Sequence, residues 1–117
     1  MAFRLWHNPR CSKSREALAL LAGRGIEPAI VDYLGQPPSP AEVLVLLGKL
    51  GGDPRALVRF KEDEARALGL SPADERTAGE WAALLSAHPR LVERPVLEAE
   101  DRAVIGRPPE NLLALLD

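Results

Sequence analysis

The chain of 117 residues is 46% apolar, 27% charged and 4% aromatic, and it holds a single cysteine, Cys11. One domain is expected at that length, burying about two thirds of its unfolded surface without disulfide or metal staples, and one cysteine excludes an internal disulfide or a cysteine-rich zinc site. The net charge of −2 divides into +4 over residues 1–25 and −6 over the remainder, and with only five aromatic side chains this balance disfavours nucleic-acid binding.

Phe3 and Leu5 alternate with Arg4 in a first strand over residues 3–6, which feeds a loop at Asn8-Pro9. A helix is predicted from Ser12, with apolar positions 17, 18, 21 and 22 and stop signals at Gly23 and Gly25. Residues 29–33 form a second strand after Pro28, so the first three elements make a βαβ unit with parallel strands. Residues 39–88 are then helical. Ser39-Pro40-Ala41-Glu42 and Thr77-Ala78-Gly79-Glu80 are capping boxes that open two of the helices, another begins at Asp53-Pro54, and a further one spans residues 62–68. With no repeat period or low-complexity linker, this stretch is an insertion within a single domain spanning residues 1–117. Two short strands, 96–98 and 103–105, flank the turn Glu100-Asp101, and a last helix starts at Pro108-Pro109. The order βαβ, helices, ββα is that of a thioredoxin-like α/β fold with a mixed four-stranded sheet.

Residues 1–10 are interrupted by Arg4, His7 and Pro9, and the longest apolar run is residues 17–22, so neither a signal peptide nor a membrane span is expected. The default setting is a reducing cytoplasm.

Cys11 directly precedes the first helix, where unpaired N–H groups and about half a positive charge favour a thiolate. His7, Arg10, Lys13 and Arg15 add to this, and such surroundings lower a thiol pKa from about 8.5 toward neutrality. The bland alternative is a small buried hydrophobe, as most free cysteines are. Flanked by Arg10, Ser12 and Lys13, the thiol reads as reactive. A dithiol motif would need cysteine at position 14, where Ser14 stands, and a cysteine phosphatase loop would need arginine at position 17, where Ala17 stands. An oxidised product must therefore pass to an external thiol. Twelve of the fifteen cations are arginine, which suits oxyanion recognition or ordinary surface use alike.

The segment His7-Asn8-Pro9-Arg10-Cys11-Ser12-Lys13-Ser14-Arg15 closely resembles the active-site segment of the glutaredoxin-coupled arsenate reductase family, in the arsenate reductase/Spx superfamily. The likeness continues through Tyr33-Leu34, Arg55-Ala56-Leu57-Val58-Arg59, Leu68-Gly69-Leu70, His88-Pro89, Glu93-Arg94-Pro95 and Ile105-Gly106-Arg107-Pro108-Pro109-Glu110. The resemblance implies Cys11 as nucleophile, His7 as its activator, and Ser14 and Arg15 as further catalytic positions. It places an oxyanion clamp on Arg59, Arg94 and Arg107 and a cis-proline at Pro95. Arg107, at the start of the last helix where the dipole disfavours a cation, is better explained by a bound anion than by helix stability. His88 reads as a helix C-terminal residue. Trp6 stands where tyrosine is usual, and Ser12-Lys13 replaces the Gly-Thr pair of some members.

The implied function is reduction of arsenate to arsenite, with glutathione as co-substrate, glutaredoxin as partner, and no metal or tightly bound cofactor. A monomer is expected. The alternatives are a glutathione-dependent thiol/disulfide oxidoreductase that does not act on arsenate, and a non-enzymatic Spx-like regulator that binds RNA polymerase. The second is weakened by Ser14, because redox-sensing members typically carry a Cys-x-x-Cys switch.

Overall fold

The computed structural model describes residues 3–116. The chain divides into two compact units, one formed by the described residues of Met1–Gln36 and Arg94–Asp117, the other by Pro37–Glu93.

The first unit is built on a four-stranded sheet in the order β2-β1-β3-β4, with β1 at Arg4–Trp6, β2 at Ala29–Val31, β3 at Val96–Glu98 and β4 at Ala103–Ile105. β1 runs parallel to β2, with Leu5 opposite Ile30, and antiparallel to β3, with Leu5 opposite Leu97. β3 and β4 form the antiparallel hairpin. This is the thioredoxin-like arrangement that the element order predicts. β2 is shorter than residues 29–33 because Asp32 starts a turn, its Oδ1 accepting from Gly35 N at 3.0 Å and its carbonyl from Gln36 N at 2.8 Å.

Side chains alternate across β1, so Leu5 faces one layer while Arg4 and Trp6 face the other. Leu5 joins Leu97, Ala17 and Leu21 of helix α1 (Ser12–Gly23), and Leu112 and Leu115, in a buried cluster. Each such leucine contributes about 1.5–3 kcal/mol by leaving water. α1 stops where Gly25 adopts φ 75°, a left-handed turn that lets Ile26 N reach the carbonyl of Leu21 at 2.9 Å. On the opposite face, the indole N–H of Trp6 donates to Glu98 Oε1 at 3.0 Å, and Arg4 lies 3.4 Å from the same oxygen. These contacts satisfy a carboxylate that is only 3% exposed. Trp6 also stacks on Tyr33, with ring centroids 6.1 Å apart.

The predicted last helix is instead a 3-10 run, Pro109–Leu115. Arg107 therefore precedes a short, poorly aligned element and does not sit on an α-helical dipole, so the dipole argument for an anion there no longer applies.

The second unit contains α2 (Pro40–Leu50), α3 (Asp63–Ala67) and α4 (Ala78–Ala87). Both predicted capping boxes are present, Ser39 with Glu42 and Thr77 with Glu80. α2 packs against α4, burying Val43, Leu46 and Leu47 on one helix and Trp81, Ala82 and Leu85 on the other. Trp81 meets Phe60 edge to face at 6.0 Å and carries the Arg76 guanidinium 5.5 Å from its ring centroid. The helix expected at Asp53-Pro54 is only a 3-10 turn, Pro54–Leu57. It ends because Val58 turns extended and bridges Val92, with Arg59 N on the Leu91 carbonyl and Glu93 N on the Leu57 carbonyl, both at 2.7 Å. A second 3-10 turn, Pro89–Leu91, follows His88, which caps the C-terminus of α4 and bonds Glu64 Oε1 through Nδ1 at 3.0 Å. Among the described residues, no helix is long and apolar enough to cross a membrane.

Candidate active site

The loop between β1 and α1 is fixed by Asn8. Its carbonyl accepts from Cys11 N at 2.9 Å, its side-chain Oδ1 accepts from Arg10 N at 3.0 Å, and its own N–H donates to Ser14 Oγ at 3.3 Å. Arg15 adds a clasp from outside, Nη1 donating to the Pro9 carbonyl at 2.8 Å. Cys11 is thereby held at the N-cap of α1, with extended dihedrals and a part-exposed side chain.

Burial pushes the Cys11 thiol up, but the backbone amides of Ser14 and Lys13, the Ser14 hydroxyl and the positive charge of Arg107 together outweigh it, and the thiol lies below its ordinary value. A helix N-terminus and a neighbouring guanidinium both stabilise a thiolate. Ser14, fully buried, serves the loop and the sulfur at once. Arg107 Nη2 lies 3.5 Å from Cys11 Sγ, and its Nε donates to the Arg94 carbonyl at 2.8 Å. Arg94 is half-buried and precedes Pro95 through a cis peptide bond, and the Arg107-Pro108 bond is cis as well.

Gly106 holds these two segments together. Its N–H donates to the Pro95 carbonyl at 2.8 Å, and a Cβ on it would lie 2.9 Å from Leu112 Cδ2 and 3.0 Å from Pro95 Cγ. The missing Cβ leaves that space to the Leu112 and Pro95 side chains. His7 is buried, and desolvation with the charge of Arg15 pushes its imidazole below the usual value, so it is predominantly neutral at pH 7. A neutral imidazole lends no charge to a thiolate. The charge acting on the sulfur is that of Arg107.

Cys11, Ser14 and Arg107 thus meet around one sulfur, Arg94 is tied to Arg107 through its carbonyl, and Arg15 and His7 flank the loop. Arg59 belongs to the helical unit, where Nη1 donates to Glu62 Oε1 and Nε lies 3.5 Å from Glu93 Oε1. Asn8-Pro9 is legible in the sequence as a loop signal, but the three hydrogen bonds by which Asn8 fixes that loop are not, and the place of Gly106 against Pro95 and Leu112 is set by folding. Among the described residues, no group of three or more His, Cys, Asp or Glu side chains is placed to hold a metal ion.

A mixed thioredoxin-like sheet, with one thiol of lowered pKa at the N-cap of its first helix and a guanidinium on the sulfur, defines the class: a single-thiol thioredoxin-like protein. The chain belongs to the ArsC family, whose model matches residues 6–115. It is 43% identical over 114 residues to the arsenate reductase of Neisseria meningitidis serogroup A, covering 97% of each chain. Over 117 residues it is 43% identical to the arsenate reductase of Haemophilus influenzae, covering 99% of this chain and all of that one. The solved structure of the arsenate reductase from Vibrio cholerae superposes with a TM-score of 0.90 at 39% identity, covering 97% of both chains.

Proposed function

We propose that the protein reduces arsenate to arsenite, with Cys11 as nucleophile and glutathione and glutaredoxin as external reductants. The observation that supports this reading is the contact of Arg107 with Cys11 Sγ at 3.5 Å, a guanidinium beside a thiol whose pKa is lowered. Family membership supports the substrate.

The charges explain why arginine is needed. A thiolate approaching a dianionic oxyanion is opposed by about 4 kcal/mol per pair of unit charges at 4 Å in a surface-like dielectric. Guanidinium groups offset that repulsion and bind the oxygens directionally. Arg107 and Arg94 supply them from the sheet unit, and Arg59 is assigned to the clamp by the family resemblance. The Cys11 thiolate attacks arsenic(V) and water leaves, which forms the sulfur–arsenic bond. The glutathione thiol then bonds to arsenic as a second oxygen leaves as water. The glutaredoxin thiol attacks the sulfur of that glutathione, forming the mixed disulfide, and the glutathione sulfur–arsenic bond breaks with its electron pair left on arsenic, which becomes arsenic(III). Water then hydrolyses the Cys11 sulfur–arsenic bond, releasing arsenite and returning the Cys11 thiol. The protein works in this reading as a cytoplasmic monomer with no tightly bound cofactor.

An assay coupling arsenate to NADPH oxidation through glutathione and glutaredoxin tests this. Arsenate-dependent NADPH consumption is expected. Glutathione-linked activity that ignores arsenate would overturn the substrate, and arsenate turnover that survives Cys11→Ser would overturn the nucleophile.

A further inference from the structure

We infer that Arg10 is a specificity-determining residue for the thiol that resolves Cys11: its exposed guanidinium takes the glycine carboxylate of glutathione, so that the site favours an anionic thiol over a neutral one of the same shape. The inference rests on the reading of glutathione as the external reductant.

The loop fixes where Arg10 starts and leaves its end open. Asn8 holds both neighbours, accepting from Arg10 N through Oδ1 at 3.0 Å and from Cys11 N through its carbonyl at 2.9 Å, so the Arg10 side chain leaves the backbone beside the residue that carries the sulfur. The other cations around the thiol are already in use. Arg15 clasps the Pro9 carbonyl at 2.8 Å, Lys13 lies 3.4 Å from Glu16 Oε2, and Arg107 has Nε on the Arg94 carbonyl and Nη2 at 3.5 Å from Cys11 Sγ. Arg10 is exposed, and among the described residues no hydrogen bond or ion pair holds its side chain. A ligand can therefore take this guanidinium without breaking an internal bond.

The approaching thiol supplies the complementary group. Ser14 stands where a second cysteine would resolve Cys11 internally, so the resolving sulfur comes from outside and brings its substituents to the loop. Glutathione carries two carboxylates and one ammonium. The ammonium shares a carbon with the γ-glutamyl carboxylate and compensates it, which leaves the glycine carboxylate as the unbalanced charge. Glu16 is the only carboxylate among residues 1–25, so this segment offers that group little repulsion. A guanidinium meets a carboxylate with a planar fork of donors. Unit charges about 6 Å apart in water favour the pair about threefold, and exposed ion pairs are of that order, so Arg10 tunes the choice of thiol and does not make the reaction possible.

Thiol–disulfide exchange reads the preference without arsenate. The Cys11 thiolate attacks one sulfur of oxidised glutathione, a Cys11–glutathione disulfide forms, the original sulfur–sulfur bond breaks and one glutathione thiolate leaves. Rate constants are measured for oxidised glutathione and for its diester, in which both glycine carboxylates are esterified. Their ratio cancels any change in the reactivity of Cys11 itself. Arg10→Gln is expected to lower that ratio about two- to fivefold, and Arg10→Glu to lower it further. Arg24→Gln removes the same charge at the far end of α1, roughly 18 Å along the helix and beyond the screening length of about 8 Å, and is expected to leave the ratio in place. A ratio equal to the parent's in both Arg10 variants, an equal fall in Arg24→Gln, or a parent Cys11 that exchanges with neither disulfide overturns the inference. So does loss of exchange with the diester in Arg10→Gln, which makes Arg10 part of the loop's structure. Arsenate turnover measured in parallel separates the two readings: an Arg10-dependent ratio without turnover defeats the reductase reading alone, and turnover with an Arg10-independent ratio defeats the role of Arg10 alone.

Discussion

In the sheet unit, Arg107 uses Nε on a backbone carbonyl and sets Nη2 against Cys11 Sγ; in the helical unit, the Arg59 guanidinium is engaged by the carboxylates of Glu62 and Glu93. The same side chain is thus held by neutral dipole and thiol in one region and by full opposite charge in the other. Arg107 sets its positive charge against the sulfur. Arg59 has its charge compensated in advance. Two arginines with matching family assignments are therefore expected to act on different quantities, Arg107 on the reactivity of the thiol and Arg59 on the affinity for the anion.

Breaking the nucleophile has the largest effect. Cys11→Ser is expected to reduce arsenate turnover to background while the urea unfolding midpoint holds, because the part-exposed thiol contributes little packing. Next come the arginines. Arg107→Ala should lower kcat/KM about 10²–10³-fold, as loss of one oxyanion donor does. It should also move the acid limb of the pH–rate profile upward, because removing a positive charge disfavours the thiolate and raises the thiol pKa. Arg59→Ala should raise KM and leave that limb in place. Equal shifts of the limb in both variants would erase the distinction drawn above.

Smaller effects sharpen the contrast. Gly106→Ala inserts a methyl against Leu112 and Pro95, with an expected cost of about 1–3 kcal/mol in urea denaturation, and Arg107, the next residue, should lose rate with it. Ser39→Ala and Thr77→Ala each remove a cap from the helical unit, at about 1 kcal/mol. Neither should alter the pH dependence of Cys11 alkylation, which reports on the sheet unit. His7→Gln should move that dependence less than Arg107→Ala does, because burial and Arg15 keep the imidazole predominantly neutral at pH 7.

The features legible in the sequence are those set by neighbours in the chain. Ser39 and Glu42, or Thr77 and Glu80, are three residues apart, and their reciprocal hydrogen bonds follow from that spacing alone. The position of Cys11 ahead of α1 is equally local. Non-local contacts decided the rest. The helix expected at Asp53-Pro54 gives way to a 3-10 turn because Val58 pairs with Val92, 34 residues away. At the C-terminus, Leu112 and Leu115 are buried, and a pattern of apolar residues three apart fits a 3-10 run as well as the expected α-helix. At the site, Cys11, Ser14 and Arg15 lie in one continuous motif, whereas the link from Arg107 to the Arg94 carbonyl and the grip of Glu93 on Arg59 are made only by folding. The clamp assignment of Arg94, Arg107 and Arg59 comes from family likeness; the local hint in the sequence was the place of Arg107 ahead of a helix, and the 3-10 run found there removes it.

The two tryptophans fall one in each unit, in unlike electronic surroundings. Trp6 stacks on Tyr33 and donates its indole N–H to a buried carboxylate, while Trp81 lies edge-on to Phe60 beneath the guanidinium of Arg76. Each unit therefore carries its own intrinsic fluorophore. With Trp81→Phe or Trp6→Phe, the emission of the remaining indole follows one unit at a time, so melting of the helical unit can be timed against exposure of the sheet that carries the thiol.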